Sequence, residues 1–148
     1  CSYHYGGVAV RPVRFPTWMM EVMSHVMPLC GLAEPAAWPN SCNLNRYSIG
    51  NGIDWHADDE RLFGGWEHDC RIVSLSFGAA RSFELRLTDG APGGACGTTK
   101  LRLGNGDLCT MEGLTQRHYE HRVPKAGGAR LNLTWRWVVN HDSWCSER

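Results

Sequence analysis

The residues from Arg130 to Arg136 alternate strictly between polar and apolar side chains, which is the pattern of a β-strand with two different faces. The polar face carries two guanidinium groups with an amide and a hydroxyl between them, from Arg130, Asn132, Thr134 and Arg136. Two arginines without an acidic neighbour predict a bound anion, because a guanidinium group pairs with carboxylate or phosphate through two hydrogen bonds. The alternative is a surface strand with two solvated arginines, and the strand alone does not exclude it.

A histidine and a carboxylate separated by one residue, His56 and Asp58, have the spacing of metal ligands. On an extended backbone both side chains leave the same face, with Cα atoms about 6.6 Å apart. A second pair, His118 and Glu120, has the same spacing, so spacing alone does not choose between the two. The Gly-rich turn before His56 and the acidic residues after Asp58 favour the first pair.

A third metal ligand must come from elsewhere in the chain, and His118 and His121 are the candidates. They lie three residues apart, so on an extended segment they face opposite ways and one of them points inward. Two histidines and one carboxylate leave metal positions open, as in non-haem Fe(II) oxygenases. Together with the two arginines, this arrangement predicts a metal ion with a dicarboxylate cosubstrate beside it.

Length and composition predict one domain with one core, because the chain has 148 residues, 43% hydrophobic content and seven tryptophans. No window approaches the ~20 apolar residues of a membrane span, and a formal net charge of zero gives no overall basic signal for nucleic acid. Seven cysteines without a C-x-x-C pair argue against a disulfide framework or a structural zinc site. We therefore expect an intracellular protein of the nucleus, the cytoplasm or an organelle. The chain begins at Cys1, which we interpret as the start of an excised domain or trimmed fragment.

Local patterns predict one N-terminal helix, from Thr17 to about Leu29, followed by short strands. We expect a mainly β fold, an antiparallel sandwich of two sheets or jelly roll. Residues 72–77 and 82–87 are expected to form a strand pair joined through Gly78, and the Gly- and Pro-rich residues 88–99 a mobile loop. The remaining predicted strands are residues 43–49, 100–103, 107–111, 120–123 and 130–139.

Six ordered segments carry a resemblance to a known family, and they include the strings DWHADDE and MEGLTQRHYEHRVPK. The segments are residues 43–47, 54–60, 72–83, 106–113, 121–125 and 130–136. In this order they resemble the AlkB family of Fe(II)- and 2-oxoglutarate-dependent dioxygenases, and within it the branch of homologues two and three, especially three. The resemblance extends from about Tyr3 to Val138. It implies a double-stranded β-helix, which agrees with the predicted strands.

The resemblance also implies a role for particular residues. The iron ligands would be His56, Asp58 and His121. The 2-oxoglutarate contacts would be Asn45, Tyr47, Arg130, Asn132 and Arg136, and Arg136 would also act at the reacting centre. Asp59 would face the target base, and Tyr3 and Tyr5 would grip the flipped nucleotide. Residues 1–148 would form a single AlkB-like domain, in which residues 1–16 are the C-terminal remnant of a nucleotide-recognition lid.

The function implied is oxidative demethylation of N-alkylated bases in DNA or RNA, with Fe(II), O₂ and 2-oxoglutarate, releasing formaldehyde, succinate and CO₂. The expected partner is alkylated, single-stranded nucleic acid, bound by a monomer without a membrane, with Arg46, Arg81 or Arg86 on the phosphates. Three alternatives stay open: a 2-oxoglutarate-dependent hydroxylase of a protein or small molecule, a non-catalytic nucleic-acid-binding module, and a zinc hydrolase. The last would not need Arg130 and Arg136. Residues 62–70 form an insertion that no motif explains.

Overall fold

The computed structural model describes residues 1–5, 8–89, 91, 97–141, 143 and 145 of the chain. Within them, two helices and ten strands are present, in addition to three short 3₁₀ turns. The helices are α1 (Thr17–Val26) and α2 (Thr115–His118). The strands are β1 (Tyr3–Tyr5), β2 (Val8–Val10), β3 (Ser41–Tyr47), β4 (Ile53–His56), β5 (Ile72–Gly78), β6 (Arg81–Leu87), β7 (Thr99–Leu103), β8 (Leu108–Met111), β9 (Tyr119–Val123) and β10 (Arg130–Arg136).

The strands form two antiparallel sheets of four strands each, as the sequence predicts. The first sheet has the order β3-β10-β5-β8, and the second has the order β4-β9-β6-β7. A separate hairpin pairs β1 with β2. None of the helices in the described parts of the chain is long and apolar enough to cross a membrane.

One predicted pairing is wrong, because β5 and β6 belong to different sheets although only two residues separate them. The chain passes from the first sheet to the second through Gly78, whose φ of +88° favours glycine. The same crossing occurs between β7 and β8. A hairpin would have placed each of these strands beside its neighbour in sequence. The predicted loop of residues 88–99 lies largely outside the described residues.

Helix α1 covers the outer face of the first sheet. Met19, Met23 and Val26 recur every three or four residues, so they form one buried stripe. This stripe packs on Leu133 and Trp135, which lie on the apolar face of β10. The helix ends at Val26, earlier than predicted, because Pro28 has no backbone N–H to continue the hydrogen-bond ladder; a 3₁₀ turn, Pro28–Cys30, follows.

The polar face of β10 points into the space between the two sheets. Arg130 and Arg136 are only 4% and 3% exposed, so the reading of this face as a solvated surface is wrong. Apart from Leu131, which is exposed, both faces of β10 are therefore buried, one against α1 and the other against the second sheet. Strand β10 itself is shorter than predicted, because it ends at Arg136 and not at Val139.

Candidate metal and anion site

The inner face of the second sheet brings two histidines together. His56 at the end of β4 lies directly opposite His121 on β9, and their ring centroids are 4.3 Å apart. Asp58 follows two residues after β4 and turns its carboxylate towards both rings. One possible ligand atom from each of the three side chains lies within 4.8 Å of the other two, so a single cation can be reached by all three. Gly52 allows β4 to lie this close to β9, because a Cβ there would collide with the carbonyl of Val123.

The hydrogen bond of His56 fixes which ring nitrogen faces the cluster. Nδ1 of His56 lies 2.7 Å from the carbonyl oxygen of Asp54, which can only accept a hydrogen bond, so Nδ1 carries the proton. In the neutral ring Nε2 then carries the lone pair, and it lies 3.7 Å from Oδ1 of Asp58. Two electron-pair donors at this distance favour a cation between them. A metal-bound histidine usually donates its other ring N–H to a carbonyl or carboxylate in this way.

Asp58 is held by two further contacts. Its backbone N–H donates to Oε1 of Gln116 at 2.9 Å, and its Oδ2 lies 3.3 Å from Nη1 of Arg136. The side chains of Asp58, Gln116 and Arg136 are all buried. Arg136 therefore balances part of the carboxylate charge and leaves the other oxygen to the histidines. The sequence motifs do not predict Gln116 as a site residue, because an amide in a helical turn gives no chemical signal by itself.

His121 is a neutral base in a dry environment. Burial lowers its pKa to about 4, against the opposing effect of Asp58. Its Nδ1 is buried without a hydrogen-bond partner among the described residues. Two imidazoles and one carboxylate fit a divalent iron ion, and the unpartnered nitrogen of His121 is consistent with a site that binds a ligand.

The metal-free protein should lose stability as the pH falls from about 6.5 to about 4. Over this range His121 takes up a proton in the unfolded chain but not in the folded one, so the unfolded state is favoured by up to ~3 kcal/mol. Urea unfolding at several pH values measures this loss. The variant His121→Gln should lose this part of the pH dependence, whereas His68→Asn, at an exposed position, should keep it. Equal slopes in all three proteins would contradict the prediction.

Arg136 lies between the metal cluster and the N-terminal strand. Its guanidinium carbon is 4.5 Å from the ring centroid of Phe63 and 5.6 Å from that of Tyr3. Burial works to lower the pKa of Arg136, but Asp58 and Tyr3 outweigh it, and the pKa ends above its ordinary value. Tyr3 in turn donates its phenol hydrogen to Oε1 of Glu60 at 2.7 Å. Strand β1 is thus attached to the edge of the site.

Arg130 lies at the other end of the polar face of β10. Its Nη2 donates to Oγ of Ser76 at 2.8 Å, and its guanidinium carbon is 5.6 Å from the ring centroid of Tyr47. Its Nε is buried without a partner, and no ion pair joins it to a carboxylate of the described residues. Burial lowers the pKa of Arg130, and Arg81 adds to this effect while Tyr47 opposes it. A buried cation of this kind fits an anionic ligand.

A chain of hydrogen bonds connects the polar side chains that lie between the two arginines. Asn45 Nδ2 lies 3.3 Å from Oγ1 of Thr134, and this hydroxyl donates to Oδ1 of Asn132 at 2.6 Å. Asn132 Nδ2 donates to Oγ of Ser74 and to the carbonyl of Leu75, both at 2.9 Å. The amide hydrogens of Asn132 are therefore engaged inside the protein. All these groups except Leu75 line one cavity, together with the metal cluster, Arg130 and Arg136.

The insertion at residues 62–70 supports the site from outside. The carbonyl of Leu62 accepts backbone hydrogen bonds from Val139 and Asn140, which attaches the segment after β10 to the insertion. Gly65 packs directly on the backbone of Asp58. The physical role of the insertion is thus to hold Asp58 and, through Phe63, Arg136 in place.

The variant Gly65→Ala should weaken metal binding. A Cβ at this position would lie 2.6 Å from the carbonyl oxygen of Asp58, a backbone atom that cannot move without moving the ligand. We expect a loss of about 1–3 kcal/mol of folding stability and roughly tenfold weaker metal binding. Urea unfolding and metal titration measure the two effects. Gly97→Ala is the control, because nothing lies within 4 Å of a Cβ there; equal behaviour of both variants would contradict the prediction.

The other predicted site residues lie in different surroundings. Asp59 is exposed beside the cluster. The backbone of Tyr5 belongs to β1, but its side chain lies outside the described part of the structure. The rival pair is separated from the cluster: His118 ends the helical turn α2, which the sequence did not predict, and Glu120 accepts two hydrogen bonds from Arg86.

Two of the three arginines expected on phosphates are engaged within the protein. Arg81 is 3% exposed and donates to the backbone carbonyls of Asn51, Pro124 and Gly128. Arg86 pairs with Glu120. Arg46 is exposed on the outer face of β3. The prediction of a phosphate contact is therefore wrong for Arg81, because its guanidinium group is buried and both terminal nitrogens donate to backbone carbonyls.

Comparison with known proteins assigns this fold and site to a class. The family model of the 2OG-Fe(II) oxygenase superfamily matches residues 1–136. The structure of OsALKBH1 superposes with a TM-score of 0.60 at 21% identity, over 87% of this chain and 66% of that one. A prolyl-4-hydroxylase from Pseudomonas putida gives a TM-score of 0.56 at 14% identity, over 91% of this chain and 73% of that one. The chain belongs to the 2OG-Fe(II) oxygenase superfamily, and the predicted jelly-roll fold is confirmed.

Curated relatives narrow the assignment. The chain is 42% identical to the alkB homolog 3 dioxygenase of Homo sapiens over 105 residues, which cover 66% of this chain and 35% of that protein. It is 36% identical to the DNA oxidative demethylase ALKBH2 of Arabidopsis thaliana over 127 residues (71% and 40%), and 30% identical to that of Homo sapiens over 145 residues (93% and 52%). Within the superfamily it is an AlkB-family chain of the homologue 2 and 3 branch. The chain spans between a third and about half of the length of these relatives.

Proposed function

We propose that this chain is the catalytic part of a dioxygenase that demethylates N-alkylated nucleobases in DNA or RNA, with Fe(II) and 2-oxoglutarate. One observation carries the proposal: a two-histidine, one-carboxylate cluster and two buried arginines line the same cavity. The names of the relatives support nucleic acid as the substrate, since two of them are DNA oxidative demethylases. A zinc hydrolase would use the cluster but would leave Arg130 without a function.

The metal ligands in this proposal are His56, Asp58 and His121. His56 presents Nε2 because the Asp54 carbonyl holds the proton on Nδ1. His121 stays neutral through burial, so it can bind a metal well below neutral pH. Arg136 orients Asp58 through an ion pair with Oδ2 of its carboxylate. When bound, Fe(II) and 2-oxoglutarate supply the oxidising chemistry that reduces O₂ and converts an N-methyl group to formaldehyde, with succinate and CO₂ as products.

The 2-oxoglutarate site in this proposal extends along β10. Arg130 receives the distal carboxylate, because it is a buried guanidinium group without a described carboxylate partner. Tyr47 and Asn45 lie beside it on β3, in register with Arg130 and Asn132. The internal hydrogen bonds of Asn132 make it a positioning residue: its Oδ1 accepts from the Thr134 hydroxyl, which in turn accepts from the Asn45 amide. The cavity between the sheets excludes water from the reacting groups.

The substrate edge is proposed at the N-terminal hairpin. A base must leave the stack to reach a buried metal, so aromatic side chains at the entrance stabilise it. The ring of Tyr3 lines the cavity, and Asp59 is exposed next to Asp58. We assign Tyr3, Tyr5 and Asp59 to base recognition, and residues 1–16 to the end of a nucleotide-recognition lid in a single domain of residues 1–148. We further propose single-stranded nucleic acid as substrate and a monomer as the active form.

The test is an anaerobic titration with Fe(II) and 2-oxoglutarate, followed by exposure to air with methylated oligonucleotides. Mass spectrometry detects loss of the methyl group, and formaldehyde is measured in parallel. Single-stranded and duplex DNA and RNA of one sequence separate the substrate classes, and unmethylated strands are the control. Formation of succinate without demethylation of any of these substrates would reject nucleic acid and favour a protein or small-molecule substrate. Absence of Fe(II) binding would reject the oxygenase altogether.

A further inference from the structure

A second group of metal-binding side chains lies at the two ends of the chain. Cys1 Sγ is 3.5 Å from Nδ1 of His141, and Cys145 Sγ is 3.4 Å from the same nitrogen. One ligand atom from each of the three residues lies within 4.8 Å of the others. All three residues are half-buried, so the cluster is sheltered but open to an ion from solution. It shares no residue with the cluster formed by His56, Asp58 and His121.

Hydrogen bonding alone does not explain two sulfur atoms at one nitrogen. Nδ1 of a neutral imidazole offers one hydrogen or one lone pair, so a single hydrogen bond at this atom accounts for the approach of one sulfur and not of both. A cation placed between the three atoms interacts with the nitrogen lone pair and both sulfurs at once. The convergence of Cys1 and Cys145 on Nδ1 of His141 is therefore better matched by a metal centre than by a hydrogen bond.

The distances agree with tetrahedral coordination of zinc. Zinc–sulfur bonds of about 2.3 Å and zinc–nitrogen bonds of about 2.0–2.1 Å place sulfur and nitrogen about 3.6 Å apart across a tetrahedral angle. The observed separations are 3.5 and 3.4 Å. We propose that Cys1, His141 and Cys145 bind a Zn²⁺ ion through two thiolates and one imidazole, with water as the fourth ligand. Thiolate ligands favour zinc and other soft metal ions, whereas the iron site offers only nitrogen and oxygen ligands.

The position of this centre gives it a structural role. Cys1 lies two residues before Tyr3, whose phenol bonds Glu60 and whose ring lies near Arg136. His141 follows Asn140, which donates hydrogen bonds to the carbonyl of Leu62 in the insertion and to that of Arg61 just before it. Zinc would link the start of β1 to the segment after β10 and so fix the edge of the cavity at which Tyr3 lies. Loop closure between residues this distant in sequence stabilises the folded chain.

Cobalt substitution in the reduced chain tests the proposal. Co²⁺ bound by thiolate shows an intense sulfur-to-metal charge-transfer absorption, which histidine and carboxylate ligands do not produce. The wild-type chain should bind two Co²⁺ ions and show this absorption. The variant Cys145→Ser should bind one ion without the absorption, whereas His56→Ala should bind one ion and keep it. Zn²⁺ affinity at the second centre should fall more than about 100-fold in Cys145→Ser.

The variant Cys109→Ser is the matched control, because Cys109 is a half-buried thiol on β8, away from this cluster. It should keep both ions and the absorption. An absorption that is absent from the wild-type chain, or that survives in Cys145→Ser, would overturn the proposal. So would a disulfide between Cys1 and Cys145 that forms under reducing conditions with zinc present. His56→Ala and Cys145→Ser each remove a ligand from a different cluster. Loss of the iron site in His56→Ala therefore does not affect the test of the thiolate centre.

Discussion

The variant His56→Ala is expected to lose formaldehyde release completely and to bind Fe(II) more than about 100-fold more weakly. His56 supplies one of three protein ligands, and even the loss of a group that only supports a ligand costs 10–100-fold in affinity or activity. The remaining pair, Asp58 and His121, would hold the ion with one carboxylate oxygen and one nitrogen. Anaerobic titration in the presence of 2-oxoglutarate measures the affinity, through the visible absorption of the Fe(II) complex.

His118→Ala is the control for this experiment, because His118 belongs to the rival H-x-E motif in the same chain. It should bind Fe(II) as the wild type does, since His118 lies in α2 and outside the cluster. Thermal unfolding of both variants shows whether the fold is intact. If His118→Ala lost the metal and His56→Ala kept it, the ligand assignment would be wrong, whatever the substrate.

The second large effect is expected for Arg130→Ala, which should raise the Kd for 2-oxoglutarate by about 100-fold. Removing one partner of a buried, hydrogen-bonded charge pair costs at least about 2–3 kcal/mol, which corresponds to this factor. Fe(II) affinity in the absence of the cosubstrate should not change, because the Arg130 guanidinium group contacts Ser76 and Tyr47 and not the metal ligands. Titration of the Fe(II)-loaded protein with 2-oxoglutarate measures the effect.

Two further variants give this prediction its specificity. Arg130→Lys keeps the charge but loses the planar pair of donors, so its affinity should fall between those of the wild type and Arg130→Ala. Arg102→Ala removes an exposed arginine from the edge strand β7 and should bind 2-oxoglutarate normally. Normal 2-oxoglutarate affinity in Arg130→Ala would place the distal carboxylate elsewhere. An equal loss in Arg102→Ala would indicate a general effect of surface charge.

Much of the site was predictable because successive side chains of a strand point to opposite faces. The alternation along β10 already placed Arg130, Asn132 and Arg136 on one face, and the register with β3 adds Asn45 and Tyr47 to the same face. The helix stripe and the two antiparallel sheets followed from equally local patterns, and the order of the six motifs gave the family resemblance. These predictions concern neighbours in sequence, for which backbone geometry fixes the direction of the side chains.

Other features depended on which segments meet. Spacing alone could not choose between His118 and His121, because the choice depends on where α2 ends and β9 begins; the family resemblance pointed to His121. The sequence motifs gave no signal for Gln116 or Gly65, whose roles arise only from contact with the backbone of Asp58. The sequence argued against a structural zinc site because no C-x-x-C pair occurs, whereas the centre that we propose joins Cys1 to Cys145, which are separated by nearly the whole chain.

The sequence by itself determined the residue types of the site and which of them share a strand face. Only the tertiary structure decided that the polar face of β10 is an interior face, that β5 and β6 belong to different sheets, and that His56 lies opposite His121. The physical reason is that alternation along a strand separates two faces but does not say which one is buried. That decision is made by long-range packing: α1 covers one side of the first sheet, and the second sheet covers the other.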